Sequence, residues 1–571
     1  MSTPDSALNR GRLLMEQGRK QEAVQAFGQA LRQQPHSVEP RLALSEVCLR
    51  IGDGWAAAAW LSDACRVAPQ QAQLWLDLAK LLVALKRESE LAPLLGAATA
   101  IHPHNAPLLN MQAELMLHAR QYDQALAPYR ALRVLQPQDR VTLLHYAFCL
   151  EQTGSLEHAA AVLREALAHH PGFMEAHVNL AGLLWRLGEF DATLIHAQKA
   201  VELAPTHAHA VRVLGMAWLH LNQLEQAQAH LRQALELQPG FSLAEVDLAF
   251  ALLSGGQMHE GWQMYGRRWR DVERMHRPSF FRAELEWKGP AMQPLAGKRI
   301  VVYSEQGLGD QIQFARYLPL LQQQGATVSV LVHAELVPLV QASMPGVDCL
   351  TAARSLEIDH HVALLDLPMH LDTGLGNIPA QVPYLKAPDD RMAQWRDKLA
   401  PWSDKPRVGL AWAGAAAHVN NANRSMWLSQ LAPLTALDTL QCFSLQKGDA
   451  GKWSDVVVDG AKLVDLTGHW QDFSDSAAML SQLDLIITVD TAIAHLAGAL
   501  GKPVWVLLPP NPDWRWMQAR DDSPWYPTMR LFRRGFKESR AAQVVRVMEL
   551  LQGQGGSVWQ VSRGGLPSAC S

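Results

Sequence analysis

The sequence predicts a helical solenoid over its first half and an α/β region of two lobes over its second half. Proline recurs at a fixed interval of 34 residues through the first half, which indicates a repeated structural unit. The second half alternates β-branched apolar runs with helical patterns, as parallel α/β proteins do. With 571 residues the chain is too long for one hydrophobic core, so several domains are expected.

The bulk composition excludes several classes of protein. A net charge of −4 gives no electrostatic footprint for DNA or RNA, so nucleic acid is not an expected partner. The six cysteines are scattered without a CxxC pair, which favours free thiols in a reducing compartment over disulfides or a metal site. The first residues lack a signal-peptide pattern, and no apolar run approaches the roughly 20 residues of a membrane span. We therefore expect a cytoplasmic protein without a transmembrane segment.

The repeated unit has the pattern of two packed helices. Its prolines are Pro35, Pro69, Pro103, Pro137, Pro171, Pro205 and Pro239. The same interval separates Ala30, Ala64 and Ala98, then Ala166, Ala200 and Ala234, and also relates Gly18, Gly52, Gly154, Gly188 and Gly256. The pattern predicts a first helix that ends near the glycine and a second helix whose small residues allow close packing. Proline then stops the second helix because it cannot continue the backbone hydrogen bonds.

This unit, of which HVNLAGLLWRLGEFDATLIHAQKAVELAP from His177 is an example, resembles the tetratricopeptide repeat. We place a solenoid of such repeats over residues 1–270, with Gly261, Trp262 and Trp269 in a degenerate closing repeat. Stacked repeats form a concave surface that usually binds peptides or proteins. A protein partner is therefore favoured for this half, and a dimerisation or spacer arm remains the alternative.

The second half begins after a linker. Residues 271–297 lose the period and gather proline, tryptophan and glycine. The patterns KRIVVYSEQG, ATVSVLVH, RVGLAWAG, LQCFSLQ, DLIITV and KPVWVLLP then predict strands. A break around Pro388–Pro406 separates lobes at residues 298–400 and 401–552, and a Gly/Ser-rich tail at 553–571 is expected to be disordered. Ligands of parallel sheets bind beyond the carboxyl ends of the strands, so the cleft between the lobes is the expected site.

The first candidate loop is SEQGLGD, Ser304–Asp310, which follows a predicted strand. Gly307 and Gly309 permit a tight turn and close approach of a ligand, and Asp310 lies at the start of a helix. The loop matches neither GxGxxG nor GxxxxGK[ST], which disfavours a dinucleotide-binding dehydrogenase and a P-loop ATPase. A helix N-cap remains the alternative role for Asp310.

The second candidate loop is WAGAAAHVNNANRS, Trp412–Ser425. It is long, polar and rich in small residues, so Asn420, Asn421, Asn423 and Arg424 could hydrogen-bond a ligand. A plain surface loop is the alternative. Two further segments stay secondary: Lys447 follows another strand, and Pro512–Pro527 gathers aromatic residues beside Arg515 and Arg520, either to border a sugar or to fill the core.

The third candidate is DLIITVDTAIAHLAGALGKPVWVLLP, Asp484–Pro509, in which a strand feeds directly into a helix. The unpaired N–H groups of that helix point at one place, which attracts an anion, usually phosphate. Asp490 suits the N-cap, and Thr491 and Ala492 place their N–H groups in the first turn. His495 can point back towards the helix mouth, and a buried structural histidine is the alternative.

DTAIAHLAGALGKPVWVLL is similar to the donor-binding motif of glycosyltransferase family 9, the heptosyltransferase-like enzymes, in which an Asp-Thr-Gly-x-x-His segment faces a nucleotide-sugar diphosphate. GLGD resembles that family's Gly-Asp turn, whose aspartate is the proposed base, and NRSMWLSQLAPL resembles its basic loop. The resemblance covers residues 298–550. Ala492 stands where the family has glycine, and Arg424 where it usually has lysine.

The resemblance implies a GT-B fold of two facing Rossmann-like lobes, with the donor on the C-terminal lobe. It implies inverting glycosyl transfer that needs no metal or cofactor, with Asp310 as the base that takes a proton from the acceptor. The implied donor-binding residues are Gly307, Gly309, Trp412, Gly414, Arg424, Lys447, Asp490, Thr491, Ala492 and His495.

Three functions follow from these expectations. The favoured one is a glycosyltransferase that moves a sugar from a nucleotide-sugar donor to a protein held by the repeats. The second keeps this chemistry but transfers the sugar to a lipopolysaccharide core saccharide. The third is a repeat scaffold with a degenerate transferase region, which Ala492 and the absence of a clear acid–base pair motivate.

Overall fold

The computed structural model describes residues 4–271, 275–352, 357–415, 418, 420–447 and 463–553. The chain divides into two compact units, Met1–Leu183 and Leu184–Ser571. The first unit contains repeat helices, and the second contains the last repeat helices and both β-sheets. The predicted limits at residues 270, 297 and 400 remain predictions, and the predicted tail lies outside the described residues after residue 553.

Helices of 13 and 14 residues alternate through most of the repeats, as the 34-residue interval predicts. They are α1 (Pro4–Glu16), α2 (Lys20–Gln33), α3 (Glu39–Ile51), α4 (Gly54–Val67), α5 (Ala72–Ala84), α6 (Glu88–Ile101), α7 (Ala106–His118), α8 (Tyr122–Leu135), α9 (Arg140–Gln152), α10 (Leu156–His169), α11 (Met174–Arg186), α12 (Phe190–Leu203), α13 (Ala208–His220), α14 (Leu224–Leu237), α15 (Ser242–Ser254) and α16 (Met258–Tyr265). Each proline of the series directly follows the C-cap residue of a second helix, as Pro35 follows Gln34. The predicted two-helix unit is confirmed.

The small residues of the series lie between the helices. Ala30, Ala64, Ala98, Ala166, Ala200 and Ala234 are at most 2% exposed. A methyl group at this position lets the two helices of a unit approach closely, as we expected. The core of each repeat is therefore set by its alanine spacing as well as by its larger apolar residues.

One turn position of the repeats has a left-handed backbone throughout. It is occupied by Gly18, Gly52, Lys86, Arg120, Gly154, Gly188, Asn222 and Gly256, whose φ angles run from 56° to 91°. Glycine adopts this conformation without steric cost, whereas other residues pay roughly 1–2 kcal/mol. The glycine series was visible in the sequence, but the same conformation at Lys86, Arg120 and Asn222 was not.

The second unit contains two sheets of parallel strands. The strands are β1 (Arg299–Tyr303), β2 (Thr327–Leu331), β3 (Asp348–Leu350), β4 (His360–Ala363), β5 (Arg407–Ala411), β6 (Gln441–Ser444), β7 (Leu463–Asp465), β8 (Leu485–Val489), β9 (Val504–Leu508) and β10 (Met529–Arg533). The sheet orders are β3-β2-β1-β4 and β10-β9-β8-β5-β6-β7, and every pairing is parallel. All six predicted strands are present. We missed β3, β4 and β7, which have three or four residues, and β10, whose sequence MRLFR contains no β-branched residue.

Helices flank both sheets. They are α17 (Leu308–Phe314), α18 (Leu318–Gln323), α19 (Val337–Ser343), α20 (Leu367–His370), α21 (Asp389–Leu399), α22 (Asn421–Arg424), α23 (Ala432–Thr435), α24 (Phe473–Ser481), α25 (Ala492–Ala499) and α26 (Arg540–Gly553). The sequence DQIQFARYLPLLQQQG predicts a single helix over Asp310–Gly325, but a 3₁₀ turn at Ala315–Tyr317 interrupts it, because Pro319 has no N–H to extend the first helix. None of the helices in the described ranges combines the length and apolar character that a membrane span requires.

The described part of the linker packs against the first sheet through its aromatic residues. Trp287 is fully buried, and its indole N–H donates to the Gln293 carbonyl at 2.9 Å. The backbone N–H of Trp287 also donates to the His361 carbonyl on β4 at 2.9 Å. Arg277 lies over the rings of Trp269 and Phe281 at 3.9 and 4.4 Å. The described part of the linker is therefore packed on the sheet.

Candidate functional site

The three candidate loops lie at the carboxyl ends of strands at the centre of each sheet. Ser304–Asp310 follows β1, which lies between β2 and β4. Trp412–Ser425 follows β5, and the segment from Asp490 follows β8, the neighbour of β5. At both places the strand order changes direction, which opens a crevice that can hold a ligand.

The glycine turn after β1 contacts the start of α25. A Cβ atom added at Gly309 would lie 3.0 Å from Cδ2 of His495 and 3.6 Å from Cα of Ala492. Only a residue without a side chain fits this contact comfortably, so the first and third candidate loops are held together. Gly307 has a φ of −66°, which any residue can adopt, so the expected tight turn does not explain that glycine.

Asp310 is the third residue of α17, whose N-cap is Gly307, so the N-cap alternative for Asp310 is wrong. Its carboxylate forms an ion pair with the guanidinium of Arg515. Arg515 also pairs with Asp513 at 2.8 Å and donates to the side chain of Gln313 at 2.8 Å. Burial raises the pKa of Asp310, and the charge of Arg515 opposes this rise. The Asp310 carboxylate is thus more basic than that of an exposed aspartate.

Asp513 is a site residue that the sequence reasoning missed, and Arg515 was named there only as part of the secondary segment Pro512–Pro527. Burial opposes ionisation of Asp513, but Arg515 and its backbone N–H hold the pKa of Asp513 below its usual value. Burial also acts against the charge of Arg515, yet its two carboxylate partners keep it protonated. The sequence does contain an indication of both residues. They lie in the segment PPNPDWRW, which directly follows β9, and β9 neighbours β8, so they reach the same edge of the sheet as the segment after β8.

His495 is buried, as the structural alternative for it proposed. Its Nδ1 lies 3.0 Å from the hydroxyl of Tyr526, and its ring stacks on Trp516 with 5.4 Å between centroids. Burial, assisted by the charge of Arg515, lowers the pKa of His495 to about 3, so the ring is neutral at pH 7. The opposite edge of the ring, with Nε2, faces Gly309. The histidine is thus fixed in place with one nitrogen towards the glycine turn.

Arg424 lies against Gly414, and its positive charge acts on Asp490. A Cβ atom at Gly414 would lie 2.5 Å from a terminal nitrogen of Arg424, so the guanidinium rests directly on that glycine. Its Nε is buried and has no hydrogen-bond partner among the described residues. Burial raises the pKa of Asp490, and the charge of Arg424 opposes this rise. Gly414, Arg424 and Asp490 therefore form one group beside α25.

The remaining predicted donor residues have structural partners. The ring of Trp412 belongs to the core of the second sheet, and Lys447 donates to the Trp470 carbonyl at 2.6 Å. The N-cap of α25 is Thr491, so the expectation of Asp490 as N-cap is wrong by one residue. At the N-terminus of α25 the N–H groups of Ala492 and Ile493 have no intrahelical acceptors, as we expected.

The asparagines of the second loop bond within the loop and to neighbouring parts of the protein. Asn421 accepts from the hydroxyl of Ser425 at 2.8 Å. Asn423 donates to the carbonyl of Trp185, in the repeats, at 3.0 Å. Both asparagines are buried. The side chain of Asn420 accepts from Asn423 at 2.9 Å and donates to the Asn511 carbonyl at 3.5 Å. Of the polar residues expected to bind a ligand here, Arg424 is therefore the one that remains a candidate.

A buried charged cluster that the sequence did not indicate fixes the loop before Asp310. Arg268, just after the last repeat helix, pairs with Glu305 and, at 2.5 Å, with Asp366. The guanidinium lies over the rings of Tyr265 and Trp269 at 4.5 and 4.7 Å. The Glu305 side chain is 5% exposed, and its second oxygen has no partner among the described residues. Burial raises its pKa to about 7.

This cluster makes a pH-dependent contribution to stability. The pKa of Glu305 is near 7 in the folded protein against an ordinary 4.5, so the folded state holds an extra proton between these pH values. The contribution is fully present below pH 4.5 and is lost as the pH rises through 7, a change of about 3 kcal/mol.

We therefore expect the wild-type free energy of unfolding, relative to that of Glu305→Gln, to fall over this pH range. Urea unfolding at a series of pH values measures the difference. Glu357→Gln, at a side chain that is 88% exposed, is the control. A difference between wild type and Glu305→Gln that is independent of pH would contradict the placement of Glu305.

A cavity of about 650 Å³ lies beyond the carboxyl ends of β1, β2 and β3. Its described lining consists of Met275, His276, Pro278, Ser279, Phe280, Tyr303, Ser304, Glu305, Leu331, Val332, His333, Ala334, Thr351 and Ala352. The lining mixes hydroxyl, imidazole and apolar groups, and Glu305 joins it to the loop of Asp310. The cavity is large enough for a sugar or a short peptide segment.

Comparison with protein families finds a match in each half of the chain. Residues 8–72 and 150–208, residues 41–172 and residues 213–241 match tetratricopeptide repeat families. Residues 455–538 match the family described as Glycosyltransferase family 9 (heptosyltransferase). The two resemblances inferred from the 34-residue interval and from the DTAIAH segment are thereby confirmed.

Individual relatives cover one or both regions. The chain is 26% identical over 468 residues to Protein FlbA of Caulobacter vibrioides, which covers 76% of each chain. It is 34% identical over 92 residues to Tetratricopeptide repeat-containing protein trd-1 of Caenorhabditis elegans, and these aligned residues are 16% of this chain and 11% of that protein. The solved structure of YrrB, a TPR protein with an unusual peptide-binding site, matches at 18% identity and a TM-score of 0.29, over 32% of this chain and 95% of that one.

Proposed function

We propose that this protein, which combines tetratricopeptide repeats with a glycosyltransferase family 9 domain, transfers a sugar from a nucleotide-sugar donor to a protein acceptor. The two sheets act as the lobes of a GT-B fold, with the donor on the second sheet and the acceptor on the first. The repeats hold the acceptor protein. The reducing cytoplasmic setting expected from the cysteines belongs to the same proposal.

The observation that carries the proposal is the meeting of Asp310 with the start of α25. Gly309 packs on His495 and Ala492, which brings the basic carboxylate next to a helix mouth. Burial raises the pKa of Asp490, and the positive charges of Arg424 and Arg515 both oppose that rise. Both guanidinium groups therefore lie near Asp490, next to the start of α25. Guanidinium groups and a helix N-terminus are the groups that bind a diphosphate.

In the reaction, the acceptor hydroxyl attacks the anomeric carbon from the face opposite the diphosphate, so the configuration inverts. The bond from that carbon to the diphosphate oxygen breaks with its electron pair on the oxygen, and the acceptor proton moves to Asp310. Arg424, Arg515 and the N–H groups of α25 balance the charge that develops on the diphosphate, without a metal.

Donor binding strengthens the base. In the free protein burial raises the pKa of Asp310, and the charge of Arg515 limits that rise. A diphosphate bound to Arg515 neutralises part of that charge, so Asp310 becomes a better proton acceptor once the donor is in place. His495 is held by Tyr526, whose burial raises its pKa well above the usual value and keeps its hydroxyl protonated. We assign to His495 the tautomer with its proton on Nε2, in which the Tyr526 hydroxyl donates to Nδ1 and Nε2 can donate to the phosphate.

Nucleoside diphosphate binding tests the donor site. We expect one of UDP, GDP and ADP to raise the melting temperature of the full-length protein, since a ligand of the folded state stabilises it. Arg424→Ala should weaken that binding by about 10-fold or more, because a charge-assisted hydrogen bond contributes about 1.5–3 kcal/mol. Arg530→Ala, at an exposed arginine of β10, is the matched control. Equal affinities of wild type and Arg424→Ala would exclude Arg424 from the site.

The acceptor separates the remaining alternatives. The first unit has a cavity of about 1010 Å³ whose lining combines Arg10, Arg32 and Glu22 with apolar side chains, which suits a peptide segment of mixed polarity. Incubation with labelled nucleotide sugars should label a protein in host lysate. Label in lipopolysaccharide core saccharide instead would favour the second function. Binding of a nucleoside diphosphate without transfer to any acceptor would favour the scaffold.

A further inference from the structure

The left-handed turns of the last three repeats contact the loops of the sheets. These turns are at Gly188, Asn222 and Gly256, which are 34 residues apart and share positive φ angles of 80°, 60° and 79°. A Cβ atom at Gly188 would lie 3.1 Å from the amide oxygen of Asn423. A Cβ atom at Gly256 would lie 3.0 Å from the Met517 side chain. The edge of the repeats that carries these three turns therefore packs against the loops of the candidate site. We call this edge the supporting wall.

Asn222 makes the most specific contacts of this wall. Its amide nitrogen donates to the Pro510 carbonyl at 2.6 Å, and its amide oxygen accepts from the side chain of Gln518 at 3.0 Å. These two hydrogen bonds hold the residues that flank the segment 511–517 on either side. That segment carries Asp513 and Arg515, and Arg515 in turn pairs with Asp310.

Neighbouring residues hold the adjacent loop in the same way. Trp185 stacks on His220 with 4.3 Å between ring centroids, and the Trp185 carbonyl accepts from Asn423 at 3.0 Å. Asn423 directly precedes Arg424. His220 also lies 3.5 Å from the side chain of Asn511. Both guanidinium groups of the candidate site are therefore on segments that the repeats support.

The residue type at position 222 fits this role. The backbone there is left-handed, which glycine adopts most readily and asparagine next among ordinary residues. Glycine would satisfy the backbone but would leave Pro510 and Gln518 without their partner. The side chain of asparagine therefore has a use that is separate from the turn itself.

We propose that Asn222 is a positioning residue of the donor site and that the last repeats form its supporting wall. Asn222 fixes the segment 511–517, and through it places Arg515 between Asp513, Asp310 and the diphosphate. This inference rests on the proposed donor site, because the consequence for affinity needs a diphosphate bound by Arg515. It assigns the repeats of the second unit a part in the catalytic site, apart from any part in holding an acceptor.

Asn222→Gly tests the proposal because glycine keeps the left-handed turn and removes only the side-chain bonds. In the full-length protein we expect the affinity for the tightest of UDP, GDP and ADP to fall by about 10-fold, with little change in melting temperature. Amide hydrogen exchange of peptides spanning 505–518 should become faster, and that of α26 should be unchanged. Lys86→Gly, at the same turn position of an earlier repeat, is the control and should change neither quantity.

The two readouts separate this inference from the proposed function. Unchanged exchange at 505–518 in Asn222→Gly would overturn the positioning role, whatever the nucleotide does. Faster exchange with unchanged affinity would also overturn it, since the segment would then not act on the donor. If wild type binds none of the three nucleotides, the proposed donor site fails, and the inference that depends on it fails with it.

Discussion

Replacing Asp310 with asparagine is expected to lower the rate of sugar transfer by about 10²–10⁴-fold and to leave nucleoside diphosphate binding nearly unchanged. Asparagine keeps the shape of the side chain and an oxygen that Arg515 can still donate to, but it cannot take the acceptor proton. The placement of Asp310 at the glycine turn against α25 is the structural reason for this expectation. The measurements are kcat for transfer of a labelled sugar and Kd for the diphosphate.

The control for this prediction is Asp522→Asn, at an exposed aspartate that pairs with Arg520. It removes a carboxylate from the same unit without touching the site, so kcat should stay at the wild-type value. A kcat of Asp310→Asn within about 3-fold of wild type would mean that another group takes the proton. A large loss of diphosphate affinity in Asp310→Asn would instead make Asp310 a binding residue.

Replacing Trp262 with alanine is expected to lower the free energy of unfolding of the second unit by about 3–5 kcal/mol. Trp262 lies on the last repeat helix, is 2% exposed, and donates to the Thr373 carbonyl at 3.0 Å. Its ring meets the edges or faces of Phe314, Trp514 and Trp525 at centroid distances of 5.3 to 6.3 Å. Truncation opens a cavity among these rings and leaves a buried carbonyl unpaired.

Urea unfolding followed by tryptophan fluorescence gives the change in stability. Trp55→Ala is the matched control, because Trp55 is 64% exposed and its main contact is Arg87 over the ring at 4.1 Å. That variant should lose no more than about 1 kcal/mol. A loss below about 1 kcal/mol in Trp262→Ala would show that the last repeat helix does not share a core with the sheets.

The repeats could be predicted from the sequence because their physics is local. Proline stops a helix wherever it falls, and alanine permits close packing within one pair of helices, so both leave a mark at a fixed interval. The left-handed turns were only partly visible. At Lys86 and Arg120 the residue type gives no sign of the backbone conformation, which the geometry of the repeat imposes, whereas asparagine at position 222 is a residue type that tolerates it.

The candidate site was predictable as far as the strand ends, and no further. A strand that runs directly into a helix is a local pattern, so the segments around Asp310 and Thr491 could be found. The partners that complete the site are distant: Arg515 is 205 residues from Asp310, and Pro510 is 288 residues from Asn222. No interval along the chain records such pairs, and the Arg268 cluster was missed for the same reason.

A crystal structure of the full-length protein with its tightest nucleoside diphosphate tests the central claim most directly. We expect the phosphate oxygens within about 2.7–3.2 Å of the Ala492 N–H group and of the Arg424 guanidinium, beside Asp310. A nucleotide bound at any other place, with the mouth of α25 covered by protein side chains, would contradict the assignment of this site as the donor site.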